Sequence, residues 1–159
     1  MKKFILVMLI AVLAVGFVFA EGFGKIVVGA KAGYLPQVKM AKFDLDGKWE
    51  MDFEAVAPFT TDVVAQAGVI TDFKTNYVFD GFIGAGLTKG IGDNWDVYAN
   101  CGLDMLLAKD TCELGVAANA GVEYYPLEHI GVKVNMKVVD YVKTKTILYE
   151  PSLGISYAF

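Results

Sequence analysis

The sequence predicts an all-β chain, an eight-stranded antiparallel up-and-down transmembrane β-barrel. Three observations carry that prediction. Successive segments alternate apolar residues with polar residues or glycine, and a period of two belongs to strands with unlike faces. Clusters of Gly, Asp, Asn, Pro, Thr and Lys separate these segments at seven places. Aromatic residues gather near the segment ends, and the chain runs out on Ser156-Tyr157-Ala158-Phe159.

Ahead of the first strand stands a different kind of segment. Lys2 and Lys3 precede an apolar stretch over 4–19, and Val18-Phe19-Ala20 puts small or aliphatic residues where a signal peptidase reads. The stretch is short for a spanning helix, and nothing beyond Ala20 continues it. Residues 1–20 are therefore expected to be a secretory signal peptide, cleaved between Ala20 and Glu21, with 21–159 forming a single barrel domain. The residue immediately after the cleavage site is Glu21 and not cysteine, so no lipoprotein anchor is expected.

The connections are expected at 35–47, 58–61, 71–76, 89–93, 108–111, 125–128 and 140–145. The first strand sets Ile26, Val28, Ala30, Ala32 and Tyr34 against Lys25, Val27, Gly29, Lys31 and Gly33. The second sets Trp49, Met51, Phe53 and Ala55 against Lys48, Glu50, Asp52 and Glu54. A local hairpin around Asp46-Gly47, a type I′ signal, is expected to form the tip of these two strands. The third strand, 62–70, is ambiguous: Val63, Ala65, Ala67 and Val69 compete with Val64, Gln66, Gly68 and Ile70. The fourth sets Tyr77, Phe79, Ile83, Ala85 and Leu87 against Val78, Asp80, Phe82, Gly84 and Gly86.

The fifth, 95–107, is the clearest. Its odd positions from Trp95 to Leu107 are all apolar, while its even positions hold Asp96, Tyr98, Asn100, Gly102, Asp104 and Leu106. The sixth sets Leu114, Val116, Ala118, Ala120, Val122 and Tyr124 against Glu113, Gly115, Ala117, Asn119, Gly121 and Glu123. The seventh sets Ile130, Val132, Val134, Met136 and Val138 against His129, Gly131, Lys133, Asn135 and Lys137. The eighth sets Ile147, Tyr149, Leu153, Ile155, Tyr157 and Phe159 against Leu148, Glu150, Ser152, Gly154 and Ser156. Pro151 interrupts this last strand and cannot donate to a ladder, which calls for a bulge or a shorter strand.

A soluble barrel hides its apolar face, whereas a membrane barrel turns it to lipid. Charges and closely spaced glycines share one face here, as suits a crowded eight-stranded lumen. Tyr34, Trp49, Tyr77, Trp95, Tyr124 and Tyr149 sit where interfacial aromatic girdles form. An open sheet edge in a bilayer would orphan backbone groups at several kcal/mol each, so the sheet must close.

A signal segment, eight alternating strands and a final aromatic strand together resemble the small outer-membrane barrels of the OmpA/OmpX type. The resemblance covers 21–159 and implies the barrel domain alone. It further implies that Tyr157 and Phe159 form the C-terminal signal read by the barrel-assembly machinery. Partners during biogenesis would be that machinery and periplasmic chaperones, and the surroundings would be outer-membrane lipid of a diderm bacterium. One departure is the lack of arginine, which relatives often place in lumenal ion pairs.

Lys25, Lys31, Asp80, Asp96, Asn100, Asp104, Glu113, Asn119, Glu123, Lys133, Asn135, Lys137 and Glu150 are expected to form a lumenal polar network, beside Lys48, Glu50 and Asp52. Such a network either fills the lumen or lines a narrow ion path. Filling is favoured, because eight strands leave an interior that side chains can occupy. The run Glu50-Met51-Asp52-Phe53-Glu54 could hold Ca²⁺ through alternate carboxylates. A solvated acidic strand extension near the tip is the plainer reading, and no metal or cofactor is expected.

His129 with Ser152 or Ser156 and Glu123 or Glu150 could be drawn as a hydrolase triad. It lies at a turn, and no local His-Ser motif supports it, so no catalytic residue is expected. Cys101 and Cys112 would be bridged only by a turn at Leu106-Leu107, which lacks turn chemistry. With the turn near 108–110 they stand several residues apart along the strands, beyond disulfide reach at about 3.4 Å per residue. Fourteen lysines face eighteen carboxylates with no arginine, a poor composition for binding nucleic acid. The expected role is structural, in envelope integrity. A small cation-selective pore is the alternative, and a soluble secreted barrel for an apolar ligand is a third class.

Overall fold

The computed structural model describes residues 26–35, 39–40, 43–44, 48–58, 62–71, 77–108 and 111–159. Residues 1–20, expected to be a signal peptide, the expected cleavage site and Lys25 lie outside the described residues. In chain order the strands are β1 (Val27–Leu35), β2 (Lys39–Met40), β3 (Phe43–Asp44), β4 (Lys48–Pro58), β5 (Asp62–Thr71), β6 (Tyr77–Ile91), β7 (Trp95–Ala108), β8 (Thr111–Leu127), β9 (Ile130–Tyr141) and β10 (Thr146–Ala158).

The eight long strands close into one antiparallel barrel in which β1 joins β4 on one side and β10 on the other. Every other wall contact is between strands consecutive along the chain, so the barrel is an up-and-down meander. The seam is completed at the C-terminus: Phe159 N donates to Ile26 O at 2.9 Å and Ala158 N to His129 O at 2.9 Å. No wall strand is left with an unpaired edge, which is what lipid requires of a sheet.

Following paired residues around the wall, from Val27 through Val56, Val64, Gly84, Gly102, Ala117, Val139 and Leu148, and extending the β1–β10 register to close the circuit, gives a stagger of ten residues. A stagger of ten over eight strands tilts them by roughly 40–45° and leaves a narrow interior. One end of the barrel carries the connections 36–47, 72–76, 109–110 and 142–145, and is called the loop end below. The other carries 59–61, 92–94 and 128–129, and is the turn end.

Four local expectations change. Lys39 pairs with Asp44 and Met40 with Phe43, and the expected hairpin turn at Asp46-Gly47 lies outside the described residues. Lys48 onward is committed to the wall by pairing with Leu35, which removes those residues from any local hairpin. β6 runs to Ile91 and pairs there with Trp95, so Lys89, Gly90 and Ile91 are strand; the chain reverses at Gly92, whose φ of 67° suits a residue without Cβ. β8 continues through Pro126 to Leu127 by a register shift between Tyr124 and Leu127, a bulge that spares the ladder from a residue with no N–H. Pro151 needs no bulge: β10 keeps its register with β9 there, and the ladder with β1 ends one residue away at Gly33↔Ser152.

The ambiguity of 62–70 is resolved by its neighbours. Val64, Gln66 and Ile70 are buried inside, while Val63 is exposed on the outer wall. Gly68 shares the inner face, and a Cβ there would lie 1.7 Å from Asp52 Oδ1, so the glycine makes room for that carboxylate.

Candidate functional site in the barrel lumen

Inward-pointing residues form levels along the axis. Nearest the loop end lies an apolar layer of Ile70, Val78, Leu106, Val139, Tyr141 and Leu148, all buried. These are the apolar members of otherwise polar faces, such as Val78 beside Asp80 and Leu148 beside Glu150. Beneath this layer lie most of the charges. Among the described residues, eight carboxylates and four lysines are buried, so the interior carries more anions than cations.

Lys137 on β9 stands at the centre of the upper polar level. Its ammonium lies 2.5 Å from Asp80 Oδ2, 2.6 Å from Glu150 Oε2, 3.0 Å from Asp104 Oδ2 and 3.7 Å from Glu50 Oε1. These four carboxylates come from β6, β10, β7 and β4, so one side chain ties five strands together. The Tyr141 hydroxyl donates to Asp104 Oδ1 at 2.7 Å and links this level to the apolar layer above.

A second set lies towards the turn end. Lys31 pairs with Glu54 at 2.9 Å and donates to Gln66 Oε1 at 2.8 Å; Gln66 Nε2 donates to Asp52 Oδ2 at 2.8 Å. Lys133 also pairs with Glu54, reaches Glu123 at 3.8 Å and lies 4.8 Å over the Tyr98 ring. The Tyr98 hydroxyl donates to Asn135 Oδ1 at 2.9 Å, and Asn135 Nδ2 donates to Ser152 Oγ at 3.1 Å. Ser156 donates to Glu123. Gly121 sits against Tyr98, where a Cβ would approach the hydroxyl to 2.4 Å, so a glycine is needed for the ring to lie across the lumen. At the mouth, Asp62, Thr88, Asp96, Asn100 and Tyr125 border a cavity whose floor includes Glu54 and Lys133.

Lys31, Asp80, Asp104, Glu113, Asn119, Glu123, Lys133, Asn135, Lys137 and Glu150 are all buried on the inner face, and Asp96 and Asn100 are half-buried nearer the mouth. Gln66, Tyr98, Tyr141, Ser152 and Ser156 belong to the same contacts but stood outside the expected set. Tyr98, Ser152 and Ser156 share the parity of the charged positions on their strands, which was the available signal. Gln66 lay on the strand whose faces were undecided. The acidic run is a correction: Glu50, Asp52 and Glu54 are buried, not solvated, because β4 is wall from Lys48 onward. The triad is not assembled. His129 is exposed with its Nδ1 3.0 Å from Ala158 O, whereas Ser152 and Ser156 engage Asn135 and Glu123.

The outer wall is the complement of the lumen. Leu87, Leu103 and Ile155 are 68%, 63% and 64% exposed, as are many further large apolar residues around the barrel. Aromatic pairs bracket this belt: Tyr34–Trp49 and Tyr77–Phe79 at the loop end, Trp95–Tyr124 and Tyr157–Phe159 at the turn end, with ring centroids 4.6–5.6 Å apart. Tyr149 and Tyr157, on the same strand, are separated by about 20 Å along the axis at this rise and tilt. Cys101 and Cys112 are free and exposed on this wall, opposite Ala118 and Leu107 respectively.

No family model matches the sequence, and no curated protein matches it. Solved structures do. Neisserial surface protein A superposes with a TM-score of 0.68 at 12% identity, over 86% of this chain and 99% of that one. The N-terminal β-barrel domain of Pseudomonas aeruginosa OprF gives 0.65 at 15% identity, over 86% and 98%. Ail, the attachment invasion locus protein of Yersinia pestis, gives 0.58 at 14% identity, over 85% and 97%. The chain therefore has the fold of the small eight-stranded outer-membrane β-barrels.

Proposed function

We propose that the protein is an integral outer-membrane barrel with a structural role in the envelope, and that its lumen is closed. One observation carries this reading: large apolar side chains cover the outside while the charged residues fill the inside. A soluble protein rarely exposes a contiguous apolar surface of more than a few hundred Å², and this belt encircles the molecule. Leu103, Val116, Val134, Leu153 and Ile155 on neighbouring strands would each be solvated at a cost of about 25 cal/mol per Å² in water, a cost absent in hydrocarbon. The aromatic bands at either end suit the two interfaces, and the likeness in fold to outer-membrane barrels adds support. The test is outer-membrane fractionation followed by gel migration of unheated and boiled samples. A heat-dependent shift in the outer-membrane fraction is expected, and a detergent-free soluble monomer would overturn the reading.

A cation-selective pore is favoured only by the surplus of lumenal carboxylates. The largely apolar layer above Lys137 argues against it, because Ile70, Val78, Leu106, Val139 and Leu148 fill most of that level, with Glu113 the carboxylate among them. Purified protein in planar bilayers is expected to give no discrete conductance steps.

A further inference from the structure

The carboxylates around Lys137 outnumber what that lysine can serve. An ammonium has three N–H donors. Asp80 and Asp104 accept from it at 2.5 and 3.0 Å, Glu150 lies 2.6 Å away as an ion pair, and Glu50 at 3.7 Å has only a distant charge contact. Both carboxylate oxygens of Glu50 are buried without a hydrogen-bond partner, and the residue is 1% exposed. Asp80 gives Oδ2 to the lysine and keeps Oδ1 buried and unbonded, and both oxygens of Glu150 are buried without a hydrogen bond. Glu50, Asp80 and Glu150 each offer an oxygen to a group whose members all lie within 4.8 Å of one another.

A second buried side chain in the same region also lacks partners. Asn119 is 2% exposed, is the cross-strand neighbour of Lys137, and has neither its amide nitrogen nor its amide oxygen hydrogen-bonded. Desolvated anions left in this state are costly, and each of these unbonded oxygens is buried.

We infer that Glu50, Asp80 and Glu150 form a buried site for one calcium ion, held on the side of the carboxylates away from Lys137. Asp80 and Glu150 then bridge lysine and metal, one oxygen to each, and Glu50 gains the cation its position lacks. An all-oxygen, carboxylate set selects a hard cation. Calcium binds oxygen at about 2.3–2.6 Å and so spans ligands up to about 5 Å apart. Magnesium, at about 2.1 Å, would need the three oxygens drawn closer and demands a stricter octahedron. The acidic run of β4 thus contributes through Glu50 alone; its partners come from strands β6 and β10, across the lumen.

The site does not depend on which membrane houses the barrel, so its test is separate from fractionation. The folded protein in detergent, equilibrated with CaCl₂ and desalted, is analysed for bound metal. About one calcium per chain is expected, and the midpoint of the heat-dependent gel shift should rise by several degrees in CaCl₂ over EGTA. Glu50→Gln preserves volume and should lower calcium affinity at least tenfold, while Glu128→Gln at the turn end should leave it unchanged. If Glu50→Gln does not fold, Glu150→Gln and the metal content of the unaltered protein decide. No bound metal, with equal midpoints in CaCl₂ and EGTA, would overturn the site and assign the surplus charge to protons. Magnesium in preference to calcium would overturn the size argument.

Discussion

At the loop end the lumen is lined by Ile70, Val78, Leu106, Tyr141 and Leu148; at the turn end by Asp62, Asp96, Tyr98, Glu123, Tyr125 and Lys133. Both ends belong to the same strands and obey the same alternation, yet one is largely apolar, with Glu113 and Lys48 its charged members, and the other is polar. The first packs like a soluble core and loses stability when a methylene is removed. The second borders a cavity and can exchange its hydrogen bonds for water. Between them sits Lys137, whose carboxylate partners lie too deep to be rescued by solvent. Lumenal polarity in such a narrow barrel is thus graded along the axis, and a charge costs more the nearer it lies to the apolar layer.

The comparison breaks most severely at its midpoint. Lys137→Met should leave four buried carboxylates without their shared cation, a loss of about 3–5 kcal/mol or outright failure to fold. Urea titration followed by gel migration checks it. At the loop end, Leu106→Ala should cost about 2–5 kcal/mol by leaving a cavity in the apolar layer. If the layer is also the barrier to ions, Leu106→Ala with Leu148→Ala should admit conductance steps in planar bilayers that the unaltered protein lacks. At the polar end, Tyr98→Phe removes one hydrogen bond to Asn135 and should cost about 0.5–1.5 kcal/mol in the same titration. Asp96→Asn, half-buried at the mouth, should fall within about 0.5 kcal/mol. Equal effects of Leu106→Ala and Asp96→Asn would erase the distinction between the ends.

Much of this was legible in the residues. The outward parity of β7, from Trp95 to Leu107, follows from its composition alone, because a one-residue slip would turn seven apolar side chains into the lumen. The strand ends were less legible. Gly90 looked like part of a turn, but pairing of Lys89, Gly90 and Ile91 with β7 extends β6 past it. Asp46-Gly47 carried a strong local turn signal and lies outside the described residues, whereas Lys48 beyond it is held by long-range pairing with Leu35. Strand 62–71 had no readable faces, since both parities offer small or branched apolar residues; its neighbours β4 and β6 decided them.

The sequence by itself determined the strand number, the parity of seven strands and the segregation of charge from apolar surface, because each follows from a period of two within one segment. Which charges meet was decided only by the closed sheet. Lys137, Asp80, Asp104, Glu150 and Glu50 are scattered over the hundred positions from Glu50 to Glu150, and nothing local links them. The ten-residue stagger brings them to one level, and the narrow bore forces their side chains together. Alternation states which way a side chain points; stagger and closure state what it finds there.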